Sequence, residues 1–122
     1  MQNLVLVALG GALGALSRYG VGVLMLRIGF VGFPWSTLFV NVTGGFAMGL
    51  LAGWLGEGGP ALRLLLGVGF LGGFTTFSAY SLDALRLLEE QRFAEAFGYI
   101  ALSVILSIGA CWLGLMLARQ AA

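Results

Sequence analysis

Gly69-Phe70-Leu71-Gly72-Gly73-Phe74-Thr75-Thr76-Phe77-Ser78-Ala79-Tyr80 sits inside an apolar run long enough to span a bilayer, yet its composition works against one continuous helix. Three glycines are followed by two adjacent threonines. Glycine costs about 1 kcal/mol per residue in a helix relative to alanine, and β-branched threonine adds a smaller penalty. A break at this depth exposes backbone N–H and C=O groups that lipid cannot satisfy, so it persists only where protein, ion or water supplies partners. Broken membrane helices commonly hold ions or substrates near the midplane. The function is expected to turn on this segment.

The flanking sequence sets the frame around it. Of 122 residues, 60% are hydrophobic and 9% are charged, whereas a soluble globular domain carries roughly 25% charge. Four apolar runs, 4–26, 35–55, 61–82 and 94–117, each approach or exceed the roughly 20 residues needed to cross about 30 Å of hydrocarbon. The connections are short and leave nothing for a soluble domain. An all-α membrane protein is expected, with one four-helix domain over residues 1–122 and a broken third helix. The first run lacks a basic leader and continues into Arg18 and Tyr19, so it reads as a retained span rather than a signal peptide. With no histidine, no lysine and a single cysteine, Cys111, neither histidine metal ligands nor an intrachain disulfide is available.

Charge placement bears on orientation. Both termini fall on the side of the 56–60 connection, which carries Arg63 and Arg119, while Arg27, Arg86 and Arg92 lie on the other. That bias is too small to set orientation by the positive-inside rule. The chain is therefore free to insert both ways up, which permits an antiparallel two-fold dimer. Four short helices enclose a polar pathway poorly, and this also favours an oligomer.

Each span carries a polar or small-residue pattern. In the first, Gly10 and Gly14 form a small-xxx-small pair for close helix approach. Arg18 continues that stripe; it either snorkels to the interface or lines an anion-attracting vestibule. In the second, Gly45, Gly49 and Gly53 make a flat packing face. Asn41 is an amide that either donates to an anion or bonds a neighbouring helix. In the third, Thr75, Thr76 and Ser78 offer hydroxyls, and Phe77 and Tyr80 share a face at i, i+3. Backbone carbonyls freed where the glycines interrupt the helix could bind a small cation. The rings either pack or present positive edges to a small anion. In the fourth, Tyr99, Ser103 and Ser107 form a hydroxyl stripe at i, i+4, i+8, lining a narrow path or bonding back to their own helix. The acidic residues, Asp83 among them, are placed in loops and helix ends as solvated caps.

In order along the chain, these pieces resemble the Fluc (CrcB) fluoride channel family. The match is carried by Gly10–Tyr19 with its arginine, by Asn41-Val42-Thr43-Gly44-Gly45-Phe46-Ala47-Met48-Gly49, by the Gly69–Tyr80 segment and by the Tyr99, Ser103, Ser107 track. The resemblance covers essentially the whole chain. It implies an antiparallel, dual-topology homodimer in a bacterial or archaeal cell (inner) membrane, with two pores that passively export fluoride. It further implies that the carbonyls of Gly72 and Thr75 hold a central, structural Na⁺ that is not transported. Asn41, Phe77, Ser78, Tyr80, Tyr99, Ser103 and Ser107 would form the fluoride pathway, with Arg18 at a vestibule. Tyr80 departs from the family's usual phenylalanine by adding a hydroxyl. The expected partners are fluoride, the lipid bilayer and a second copy of the chain, with no nucleic acid and no enzymatic reaction. The competing reading, a small proton-coupled multidrug exporter, requires a titratable carboxylate within the bundle, and the acidic residues are not placed there.

Overall fold

A computed structural model describes residues 1–121. Its regular structure is entirely helical among those residues, and four spans are long and apolar enough to cross a membrane. Helices α1 (Gln2–Arg27) and α2 (Trp35–Leu55) are continuous. The third span, Pro60–Glu89, consists of two helices. The first of them, α3 (residues 60–74), begins with the turn Pro60–Leu62, is wound as a π-helix over Arg63–Leu71 and closes with the turn Gly72–Phe74. The second is α4 (Phe77–Glu89). The last span is α5 (Phe93–Ala121).

The break falls at Thr75 and Thr76, not at the glycines. Thr75 (φ −86°, ψ 159°) and Thr76 (φ −150°, ψ 124°) are extended, whereas Gly69, Gly72 and Gly73 remain helical. The expectation that glycine interrupts the ladder is corrected here, and the reason is packing. A Cβ on Gly10 would run into the backbone of Leu65 and Phe70, and one on Gly14 would strike the backbone of Phe70 and Phe74. Gly69 in turn faces the Cα of Gly10. Lipid offers no hydrophobic drive for helix association, so close backbone approach through small residues holds such pairs together. That contact offsets the helix penalty of the glycines and keeps α1 against α3.

A second pair is built the same way. Gly45, Gly49 and Gly53 of α2 lie against the backbones of Ser107, Cys111 and Leu115 of α5, so two i, i+4 ladders meet rung for rung. This fixes which face of α5 looks inward, and it fixes Ser107 beside Gly45 of α2.

The third span also continues beyond the expected end at Leu82. Helix α4 runs to Glu89 because Tyr80, Ala84 and Leu87, at i, i+4, i+7, bury one stripe against Ala96 and Tyr99 of α5. This is an amphipathic stripe rather than a continuous apolar run. Hydropathy loses the helix where the packing does not. At the same end, Arg92 pairs with Glu90 at 3.2 Å and with Glu95, and donates to the carbonyl of Gly32, joining the α4–α5 turn to the α1–α2 connection. The hydrogen bonds to Glu95 and then Glu90 hold the Arg92 proton above its ordinary range.

Much of the outer surface is apolar, including Leu4, Leu16, Phe77, Ile105 and Trp112. Contiguous exposure on this scale belongs in lipid or against another chain. The protein is a multi-pass membrane protein.

Candidate functional site

The break is sealed by side chains from three helices. Thr75 donates its N–H at 3.0 Å and its hydroxyl at 2.9 Å to the carbonyl of Leu71, closing α3. Thr76 opens α4 as its N-cap, its Oγ1 accepting from the N–H of Ala79 at 3.1 Å. Threonine suits both jobs: β-branching favours the extended backbone, and the hydroxyl satisfies a helix-end donor. The amide of Asn41 then meets both backbone groups of Thr76. Its Oδ1 accepts from the Thr76 N–H at 2.7 Å, and its Nδ2 donates to the Thr76 carbonyl at 3.0 Å. One side chain thus stands in for a paired strand. From α1, Arg18 Nε donates to the Gly73 carbonyl at 3.1 Å.

None of these bonds draws on the carbonyl oxygens of Gly72 or Thr75. Gly72 is also exposed on the outer face of the chain. Neutral carbonyl oxygens are a donor set that suits a hard cation rather than a soft one.

Beside the break lies a groove of about 410 Å³ lined by Asn41, Thr75, Thr76, Phe77, Tyr80, Ser103 and Ser107, and extending past Met48 to Cys111. Its walls carry no formal charge. The Phe77 and Tyr80 rings lie 5.4 Å apart at 48°. Phe77 is 78% exposed, while Tyr80 is buried and donates its hydroxyl to the Ile100 carbonyl at 3.1 Å. The added hydroxyl of Tyr80 is therefore taken up by the backbone of α5. Ser103 and Ser107 differ from every other polar side chain in the site: both Oγ atoms are buried with no hydrogen-bond partner. Neither serine bonds back to its own helix.

Two residues named for the pathway stand off the groove. Tyr99 is fully buried behind it, its ring 5.3 Å from Tyr80 and its hydroxyl donating to Asp83 Oδ2 at 3.2 Å. Ser78 is exposed, with its Oγ 3.3 Å from Thr76 Oγ1.

A vestibule of about 590 Å³ opens on the other side of Thr76, reaching Arg18, Asp83 and Arg86 and walled by Phe30, Phe33 and Trp35 of the α1–α2 connection. Thr76 lines both spaces, so the clamped residue is the wall between them. Sequence reasoning missed Asp83 as a half-buried partner of Tyr99, placing it among the solvated caps. The signal was present in the spacing of Asp83 three residues after Tyr80, which shares the buried face of α4. Asp83 lies seven residues beyond Thr76, roughly 10 Å along the helix axis, at the mouth rather than beside the groove.

The family model described as "CrcB-like protein, Camphor Resistance (CrcB)" matches residues 5–115. The chain is 52% identical over 124 residues to the "Fluoride-specific ion channel FluC" of Caulobacter sp. (strain K31), covering 98% of this chain and 97% of that protein. It is 52% identical over 124 residues to the protein of the same name from Phenylobacterium zucineum (strain HLK1), covering 98% of both chains. With the one from Rhizobium meliloti (strain 1021) it shares 48% identity over 122 residues, again 98% of both.

Proposed function

The chain belongs to the CrcB-like family, and from that premise we propose the following reading of its groove, its partner and its ion. The protein is a fluoride channel, not an enzyme. The observation that carries the reading into this structure is the pair of buried, unpartnered hydroxyls of Ser103 and Ser107, facing a groove with no fixed charge. Fluoride is small and strongly hydrated. A path for it must replace water by well-placed donors while leaving the ion free to move on.

In this reading Ser103 and Ser107 donate to fluoride along the groove. Asn41 offers the second proton of its Nδ2, the first being held by Thr76. Phe77 and Tyr80 turn polarised ring edges to the path, Ser78 extends it toward solvent, and Arg18 stands at the vestibule. Tyr99 acts one layer back, orienting Tyr80 and engaging Asp83.

The groove is open along one side of a single chain, and the exposed Phe77 and Gly72 are left to face something else. A second copy, antiparallel, in a bacterial cell membrane would close it and give two pores. The carbonyls of Gly72 and Thr75 from both copies would then surround a structural Na⁺. Bound there, Na⁺ would supply positive charge to four carbonyl oxygens that lipid cannot solvate. The chain's own part is to keep those oxygens free: Asn41 and Arg18 occupy Thr76 and Gly73 instead.

The test is efflux from liposomes loaded with fluoride or chloride. Rapid fluoride release with far slower chloride release is expected; equal rates for the two anions would overturn the reading. Repeating purification in Na⁺-free buffer separately tests the cation, the expected result being loss of the dimer on size exclusion.

A further inference from the structure

Three charged side chains line the vestibule: Arg18, Asp83 and Arg86. Two of them are engaged. Arg18 is held to the Gly73 carbonyl, and Asp83 accepts from the Tyr99 hydroxyl at 3.2 Å. Arg86 stands three residues after Asp83 on α4, a spacing at which an acid and a base commonly pair. They do not pair here. Among the described residues the ion pairs are both made by Arg92, and Asp83 is turned to Tyr99. The Arg86 side chain has neither a carboxylate nor a hydrogen-bond partner and is exposed at the mouth.

A cation in the last turn of a helix also complements the macrodipole, and that role alone would place Arg86 anywhere around the helix end. Arg27 occupies such a position at the end of α1 and does not line the vestibule. Arg86 is on the side that does. Because Arg18 and Asp83 carry opposite charges, the net charge of the vestibule is the charge of Arg86.

We infer that Arg86 is a collecting residue for the anion: its unpaired guanidinium raises the fluoride concentration in the vestibule without touching the ion in the groove. This rests on the channel reading given above. The attraction is exerted through a water-filled space, so it is long-ranged and screened by salt. A contact in the groove would be neither. One unit charge acting over about 8 Å at water-like permittivity changes local ion occupancy by about two- to threefold. In an antiparallel dimer each mouth carries its own Arg86, and the effect applies to entry from either side.

The experiment compares wild type with Arg86→Lys, Arg86→Gln and Arg86→Glu in liposomes. Fluoride is kept low enough that efflux is proportional to its concentration, and ionic strength is set with an impermeant salt at about 0.01 M and about 1 M. These correspond to screening lengths of about 30 Å and 3 Å. At low salt Arg86→Gln is expected to be about two- to threefold slower than wild type, and Arg86→Glu about five- to tenfold slower. At high salt the differences should collapse, and Arg86→Lys should keep the wild-type salt dependence. A loss of flux equal at both salts, or Gln and Glu variants indistinguishable from wild type at low salt, overturns the inference. If the glutamate variant does not fold, the Gln and Lys pair decides the matter alone. Wild type that conducts no fluoride at either salt overturns the channel reading instead.

Discussion

Replacing Asn41 by alanine should loosen the break, and the size of the effect follows from the two bonds it removes. Asn41 meets the Thr76 N–H at 2.7 Å and the Thr76 carbonyl at 3.0 Å. A neutral hydrogen bond contributes about 1 kcal/mol net, and interhelical bonds within membranes average about 0.6 kcal/mol. Two such bonds give about 1.2 to 2 kcal/mol. Leaving a donor and an acceptor unpaired would cost more, but the groove and vestibule on either side of Thr76 admit water, which limits the penalty. About 2 kcal/mol corresponds to a roughly 30-fold rise in the population with the break unclamped. Hydrogen exchange read on a peptide spanning residues 71–80 should therefore accelerate about 30-fold at the Thr76 amide in Asn41→Ala. Fluoride efflux should fall with it, since Phe77 is attached directly to the loosened residue. Thr76→Val is the control: it removes the N-cap hydroxyl, at about 1 kcal/mol, but keeps both backbone groups for Asn41. Wild-type exchange in Asn41→Ala would show that the amide does not hold the break, and the account of the site would fail with it.

The glycine ladders make a contrast that thermal unfolding in detergent can read. Gly49→Ala places a Cβ into the backbone of Cys111 and Leu115 and should destabilise by about 1–3 kcal/mol through overpacking. Gly109→Ala on α5 meets nothing within 4 Å and should be neutral or stabilising by up to about 1 kcal/mol from helix propensity. Equal effects would deny the ladders their packing role. Ser103→Ala should separate stability from function in the opposite sense. Deleting a buried hydroxyl without a partner should leave the stability unchanged or raise it, by up to about 3 kcal/mol, while fluoride efflux drops. A destabilised alanine variant with full efflux would place that hydroxyl in the fold rather than in the path.

Four spans and their small-residue faces were legible because bilayer thickness and backbone approach impose requirements that show in any single stretch of chain. The Gly45, Gly49, Gly53 ladder is an example: the spacing alone predicts a flat face, and α5 fills it. The position of the break was legible only to within a turn. Intrinsic propensity points to the glycines, but propensity is worth about 1 kcal/mol and yields to tertiary contact, here the backbone of α1 against Gly69. The threonines break the helix because Asn41, 35 residues away in sequence, accepts and donates to one of them. No local pattern contains that partner. For the same reason the interhelical bonds of Asn41 emerge only once Thr76 is seen opposite it, with one amide proton spent and one remaining. Asp83 escaped notice because α4 continues past its apolar run on an amphipathic stripe, which hydropathy alone reads as the start of a loop.

The distribution of charge across Thr76 bears on why the site has two compartments. Every formal charge near it lies in the vestibule, and the groove is lined by neutral groups alone, its amide and hydroxyls set among ring, aliphatic and sulfur side chains. A guanidinium in the groove would bind a small anion strongly and hold it, since interactions in a narrow, poorly solvated space are amplified relative to water. Neutral donors bind it enough to replace part of its hydration and release it to the next donor. Such donors must be free when the ion arrives, and a hydroxyl already bonded to a helix carbonyl is not free. Ser103 and Ser107 meet that condition at a cost. Each buried oxygen without a partner destabilises the chain by about 1–3 kcal/mol, a penalty that the hydroxyls of Thr75, Thr76, Tyr80 and Tyr99, all bonded, avoid. Within one short stretch of α5, then, the tyrosine is spent on the fold and the two serines are withheld from it, and in the channel reading proposed above a passing fluoride is what the withheld pair would meet.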